Sequence, residues 1–173
     1  MNDTCPPGEP APHQLAAAFR AAMRHLAATV TIVTTRDGSG SHGIAASAIM
    51  SVTAEPPTLL VSVARSSSLH APLVARGRFC VNVLGHDQAD LLLPFASTDL
   101  RRLRFRSGGW QAGLHDLPVL PSAVAVVFCK TVRVIDHATH GLFLGEVEAV
   151  LDGPRRAPLV WYDGAQADLD TPE

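Results

Sequence analysis

The chain has 173 residues, of which 47% are hydrophobic and 17% are charged, and its formal net charge is −2. This length and composition predict one globular domain with its own core and exclude a disordered chain. The small net charge provides no strong field to attract nucleic acid or an acidic membrane, so we expect neither as a partner. No stretch reaches the ~18 apolar residues of a membrane-spanning helix, and we expect a cytoplasmic protein.

Two tails are predicted to flank the domain. Residues 1–12 are polar and rich in proline, without the basic start of a signal peptide, and are expected to be disordered. The acidic residues 165–173 are expected to be flexible. The domain should therefore span residues 13–164.

The elements within the domain, in chain order, are mostly strands. Apolar residues at helical spacing predict a helix over residues 13–28. Strands are predicted from β-branched and apolar runs bounded by glycine and proline, at residues 29–35, 43–51, 58–63, 79–84, 122–136, 142–151 and 158–162. Two further helices are expected at residues 66–76 and 87–95, and residues 97–118 are typical of a long loop.

The connections between these strands decide the fold class. Most are too short for a helical crossover, so the sheet should be mainly antiparallel. About seven strands with three peripheral helices favour a mainly β barrel over a parallel nucleotide-binding sheet.

The chain lacks the motifs that mark several enzyme classes. No GxGxxG opens a helix, and there is no phosphate-binding P-loop and no GxSxG nucleophile elbow. Cys5, Cys80 and Cys129 have no metal-ligand spacing, and the histidines form no metal motif, so no metal site is predicted. Cys80 and Cys129 lie in apolar runs and are expected to be buried thiols.

Two stretches are candidates for ligand binding. Residues 43–51 place small side chains in a strand, which lets a flat ligand approach the backbone, although the same composition fits a tightly packed sheet. Ser66, Ser67 and Ser68 precede a predicted helix. They form either an anion site at its N-terminus or only its cap.

Six segments in a fixed order resemble one known family, the flavin reductase-like, FMN-binding split-barrel family. Within it the chain is most similar to the reductase components of two-component aromatic monooxygenases of the 4-hydroxyphenylacetate 3-monooxygenase type. The segments are FRAAMRHLAATVTIVTT, HGIAASAIMSVTAEPPTLLVSVARSSSLH, GRFCVNVLGHDQADLLLPFA, RFRSGGWQAGLHDLPVL, HATHGLFLGEV and PLVWY, which together run from Phe19 to Tyr162.

The resemblance implies a fold and an activity. The fold would be an FMN-binding split β-barrel, mostly antiparallel and Greek-key-like, with a few peripheral helices, assembled as a homodimer. The protein would be an NAD(P)H-dependent flavin reductase: NADH or NADPH would give a hydride to FMN or FAD, and the reduced flavin would pass to a partner flavin-dependent monooxygenase.

The resemblance also implies the site residues. The flavin ring and ribityl chain would contact mainly the backbone of Ala45, Ala46, Ser47, Ala48, Ile49 and Met50, and then Val63, Ala64 and Arg65. Ser66, Ser67 and Ser68 would meet the phosphate, and Phe95 would lie near the flavin. His140 would be the catalytic residue in the nicotinamide region; without the resemblance it fits a histidine in a solvated turn.

The chain departs from the family pattern at three places. Ala45 and Ser47 stand where Thr and Asn are frequent. Leu93 and Pro94 precede Phe95 where a basic residue is usual, so one phosphate partner is missing. Its replacement could be Arg65 or the group Arg101, Arg102, Arg104 and Arg106, unless that group only lies in a solvated loop. Gly164 is followed by Ala165 and Gln166 instead of basic and aromatic residues, which leaves the choice between NADH and NADPH open.

Three functions remain to be compared. The first is flavin reductase activity. The second is an FMN-binding electron carrier or flavin-holding protein without turnover. The third is an activity like that of pyridoxamine phosphate oxidases, against which the single lysine, Lys130, argues because that family binds substrate phosphate with several basic residues. We favour the first.

Overall fold

The computed structural model describes residues 12–169, so the predictions for residues 1–11 and 170–173 lie outside it. The described elements follow in chain order. The helices are α1 (Pro12–Met23), α2 (His70–Arg76) and α3 (Leu93–Ala96). The strands are β1 (Ala28–Thr29), β2 (Thr31–Asp37), β3 (Gly40–Ala46), β4 (Ile49–Ala54), β5 (Pro57–Ala64), β6 (Arg78–Val83), β7 (Gln111–Ala112), β8 (Pro118–Val119), β9 (Ala125–His137), β10 (His140–Asp152), β11 (Val160–Tyr162) and β12 (Ala165–Ala167).

One seven-stranded sheet dominates the fold. Its order is β3-β2-β6-β9-β10-β5-β4, and every neighbouring pair is antiparallel. The edge strands β3 and β4 are consecutive in the chain, and the three Cα steps from Ala46 to Ile49 span at most about 11 Å. The sheet must therefore curl until its two edges approach each other. The mainly β, antiparallel fold with peripheral helices is confirmed.

A smaller, three-stranded sheet contains the last two described strands of the chain. Its order is β1-β11-β12, and Ala165–Ala167 pair with Val160–Tyr162. The turn between these strands is made by Asp163 and Gly164, both at positive φ. Residues 165–167, predicted to belong to a flexible tail, are therefore a strand, because this turn brings them back onto β11.

The core forms two clusters of buried side chains. The first includes Ile32, Cys80, Leu117, Leu120, Phe128 and Leu159. The second includes Val61, Leu69, Leu73, Phe79, Cys129 and Phe143. Cys80 and Cys129 are thus buried free thiols, as predicted, and burial raises the pKa of both, that of Cys129 to about 12.

Element boundaries differ from the prediction where non-local contacts decide them. The predicted strand 43–51 is two strands, broken at Ser47 and Ala48. The helix predicted at 87–95 is a 3-10 turn, His86–Leu91, followed by α3 with Pro94 in its first turn, where proline is tolerated. Residues 97–118 form short turns and the hairpin β7–β8 rather than one long loop.

The Asn82 side chain on β6 forms hydrogen bonds with two other parts of the fold. It is fully buried, its Nδ2 donates to the Ile32 carbonyl at 3.0 Å, and its Oδ1 accepts from the Leu120 backbone N–H at 2.8 Å. These bonds link β6 to β2 and to the segment after β8. A buried backbone N–H without a partner is costly, so this amide fixes the position of residues 117–120.

Replacing Asn82 by alanine should therefore destabilise the fold. Asn82→Ala leaves the Leu120 N–H unpaired and should lower the free energy of unfolding by about 3 kcal/mol, measured by urea denaturation. Thr53→Ala is the control, because the exposed Thr53 hydroxyl forms its hydrogen bonds with the backbone of nearby Glu55. Equal losses in the two variants would contradict the role given to Asn82.

Candidate functional site

The break between β3 and β4 gathers most of the predicted site at one end of the sheet. The Ser62 N–H donates to the Ala48 carbonyl at 3.0 Å, which places the break beside β5. Two residues further along β5, Ala64 pairs with His140 at the start of β10. Residues 45–50, residues 63–65 and His140 are therefore neighbours in space.

The strand edge at this break offers mainly backbone to a ligand. Ala45 and Ala46 are half-buried and pack against the two core clusters, whereas Ser47 and Ala48 are exposed. As an edge strand, β3 has no strand partner among residues 12–169 on the side away from β2. Free N–H and C=O groups along such an edge can hydrogen-bond a flat heterocycle.

Other predicted contact residues differ in how much of their side chain is available. Val63 is fully buried, so only its backbone can take part, and Ile49 packs against the second core cluster. Met50 is 59% exposed.

The three serines form a turn and do not cap the following helix. The Ser67 N–H donates to the Ala64 carbonyl at 2.9 Å, and the Leu69 N–H donates to Ser67 Oγ at 3.1 Å. Helix α2 begins at His70, so the predicted start of this helix at Ser66 is wrong, whereas its predicted end at Arg76 is confirmed. An anion site at these serines thus depends on other donors than a helix N-terminus.

Arg104 supplies such a donor. Its Nη1 donates to Ser68 Oγ at 2.9 Å, and its Nε donates to the Pro94 carbonyl at 2.8 Å. Burial, followed by the positive charge of Arg101, lowers the pKa of Arg104. Neither arginine forms an ion pair with a carboxylate in the part of the chain that the structure describes. Two neighbouring cations without a counter-ion favour an anionic ligand.

A cavity of about 410 Å³ lies in front of these two arginines. Its lining residues are Ser41, His42, Ser68, Arg101, Arg104 and Phe105. Ser41 stands near the start of β3 and Ser47 follows its end, so the cavity and the break are separated by about 20 Å of strand. The site is elongated, with a cationic end and an end built of small residues.

Among the candidates for the missing basic residue, Arg104 and Arg101 line this cavity. The Arg65 guanidinium instead pairs with Asp136 at 3.0 Å on the surface. Arg102 and Arg106 are exposed and line no part of the cavity, as expected for a solvated loop. The sequence alone offered no way to single out Arg104, because its contact with Ser68 crosses 36 residues.

The Phe95 ring packs against strand β3 at Gly43. Phe95 is 4% exposed, and its ring lies 5.1 Å from that of Phe105 and 5.4 Å from that of Trp110. A Cβ at Gly43 would come within 2.9 Å of the Phe95 ring, so glycine is needed for β3 to lie this close. The Phe95 side chain is therefore core, and any effect on a ligand passes through β3.

A second cavity, of about 300 Å³, adjoins the other end of the site at Ser47. Phe19, Met23 and Leu26 form one wall, and Trp161 another. Helix α1 has no buried residue, and the pair Arg24–Asp163, at 3.0 Å, holds its end against the β11–β12 turn. Sequence reasoning did not identify this cavity, which joins elements more than a hundred residues apart.

His140 is exposed at this end of the site, and its Nδ1 lies 2.9 Å from Thr139 Oγ1. Within residues 12–169, no three His, Cys, Asp or Glu side chains are grouped to hold a metal ion. No helix in that part of the chain is long and apolar enough to cross a membrane.

Comparison with known proteins matches residues 23–170 to the Flavin reductase like domain. The chain belongs to the flavin reductase-like family. It is 42% identical over 145 residues to FMN reductase (NADH) RutF of Pseudomonas syringae, covering 84% of this chain and 82% of that protein. It is 38% identical to the 4-hydroxyphenylacetate 3-monooxygenase reductase component of Pseudomonas aeruginosa, covering 90% and 92% of the two chains.

A solved structure gives the same assignment. The NADH:FAD oxidoreductase SgcE6 of Streptomyces globisporus C-1027 superposes with a TM-score of 0.83 at 28% identity, covering 98% of this chain and 96% of that one. The family resemblance seen in the sequence is thereby confirmed.

Proposed function

We propose that this protein is an NADH-dependent flavin reductase that supplies reduced flavin to a partner monooxygenase. The observation that carries the proposal is the strand β3, with the Ser68–Arg104 cavity at one end and the exposed Ser47–Ala48 break at the other. A flavin nucleotide has a matching shape, with a phosphate at one end and a planar ring at the other. When bound, the flavin accepts a hydride from the reduced nicotinamide.

The residues of the chain would hold the flavin at both ends. Arg104 and Arg101 would attract the phosphate by their charge, and the Ser68 hydroxyl and the remaining guanidinium N–H groups would donate hydrogen bonds to it. The backbone of residues 45–48 would bind the ring edge. This arrangement supports residues 45–50 and 63–68 as the flavin site. The buried Phe95 would act through packing, and the buried Val63 through its backbone.

The nicotinamide would enter at the break. The cavity beside Ser47 has mainly apolar walls, and His140 lies at the same end of the sheet. Hydride transfer between two stacked rings needs no protein acid or base, so the protein's tasks are orientation and exclusion of water. His140 would position the nicotinamide by a hydrogen bond to its carboxamide.

The relatives support turnover over simple flavin storage. Their names specify NADH with FMN, or the reductase component of a monooxygenase. The electron-carrier alternative explains neither the second cavity at the break nor these names.

NADH oxidation with added flavin tests the proposal. The rate, followed by the loss of NADH absorbance, should rise and saturate with free FMN or FAD. Arg104→Gln should raise the flavin KM about tenfold, because one charge-assisted contact is lost. Arg102→Gln is the matched control and should leave the KM unchanged. Flavin binding without NADH turnover would contradict the proposal and favour the carrier.

His140 can be tested separately from flavin binding. His140→Ala should lower kcat with NADH about tenfold and leave the flavin Kd within about twofold, since its partner is the nicotinamide. His137→Ala serves as the control, because exposed His137 pairs opposite His140 in the β9–β10 ladder. Unchanged kinetics in both variants would make His140 an ordinary turn residue.

A homodimer is part of the proposal. The exposed apolar side chains of the described residues include Met50 at 59% and Val52 at 48% exposure on β4, and Val132 at 52% and Ile135 at 40% on β9. Apolar patches of this kind mark interaction surfaces, and isologous dimers are the commonest assemblies. Sedimentation should show a dimer at micromolar concentration, and Val132→Lys should shift it toward monomer. A monomeric parent protein would refute this part.

A further inference from the structure

We propose that FAD, rather than FMN, is the flavin that this chain binds best, and that its AMP half lies in a depression next to the phosphate cavity. The inference rests on the proposed flavin site. The depression measures about 200 Å³ and is lined by residues that include Arg36, Trp110, Gln111 and Asp116.

The depression adjoins the phosphate cavity. Ser41 and Phe105 line both, so a ligand whose phosphate lies at Arg104 and Arg101 would reach the depression past these two residues. FMN ends at its phosphate. FAD continues from the same point with a second phosphate, a ribose and adenine, and therefore needs such a neighbouring space.

Arg36 supplies a positive charge in the depression for the second phosphate of FAD. Its guanidinium forms no ion pair and no side-chain hydrogen bond with any residue from 12 to 169. The adjacent Asp37 does not neutralise it. Its carboxylate is held within the hairpin by Ser39 and by His42, at 2.9 Å, and these hydrogen bonds keep the pKa of Asp37 well below its usual range.

The rest of the depression offers groups that match an adenosine. Phe105 and Trp110 offer aromatic surface, and the Phe105 backbone is held at a φ of 65°, in the left-handed region that few non-glycine residues adopt. The Gln111 amide is exposed and has both a donor and an acceptor for a base edge. The Asp116 carboxylate can accept hydrogen bonds from ribose hydroxyls.

The adenylate half of NADH is the competing occupant. The nicotinamide would stack at the Ser47 end of β3, about 20 Å along the strand from Ser41, which lines both the phosphate cavity and the depression. The flavin's own phosphate is the nearer attachment point, so the geometry favours FAD.

Flavin binding, measured by fluorescence quenching, tests this inference with FAD and FMN as the probes. The unmodified protein should bind FAD about tenfold more tightly than FMN. Arg36→Ala should weaken FAD binding about tenfold and change FMN binding less than about twofold, because one charge-assisted contact to the second phosphate is lost. Arg102→Ala is the control, since exposed Arg102 lines neither space, and it should change neither affinity.

Three results would overturn the inference. They are equal affinities of the unmodified protein for the two flavins, an equal loss for both flavins in Arg36→Ala, and a raised KM for NADH in Arg36→Ala at saturating FMN. The last would assign the depression to NADH. The outcome is separable from that of the proposed function, because a protein that oxidises no NADH still reports its preference between flavins through binding.

Discussion

The site depends on one constraint. Only two residues link β3 and β4, and these two strands form the opposite edges of the sheet. Ser47 and Ala48 join strands that stand first and last in a seven-stranded order, so the sheet can exist only if it curls. The same link brings the end of β3 beside Ala64 and His140. A strand edge free on its outer side, next to a neighbouring strand end and a turn, is a direct product of this topology.

Small residues make this link possible. The segment from Gly43 to Ala48 has no side chain larger than that of Ile44, and the Gly43 position has no room for a Cβ above Phe95. Ala45 and Ala46 use their methyl groups to pack on the two halves of the core. If a ligand contacts mainly the backbone here, the presence of Ala45 and Ser47 where the family often has Thr and Asn removes few of its contacts.

The sequence predicted the strands and their antiparallel pairing well, because periodicity and turn residues are local signals. Three features could not be predicted from the sequence, because each depends on contacts between distant residues or on the detail of a turn. The break in 43–51 depends on whether a residue pairs with β2 or with β5, and nothing within AASA distinguishes these partners. Likewise the start of α2 at His70 follows from bonds of Ser67 to Ala64 and Leu69. The strand at Ala165–Ala167 depends on its contact with β11.

Arg104 shows most clearly what only the structure reveals. The chain lacks the usual basic residue before Phe95, and Arg104 approaches that same segment from downstream by donating to the carbonyls of Pro94, Phe95 and Ser97. One side chain thus fixes the turn after α3 and brings its charge to Ser68. Since most of its donors are already used by the protein, it can give an anion charge but few hydrogen bonds. The flavin would then be held moderately at the phosphate and at an exposed strand edge, which suits a protein that must release it.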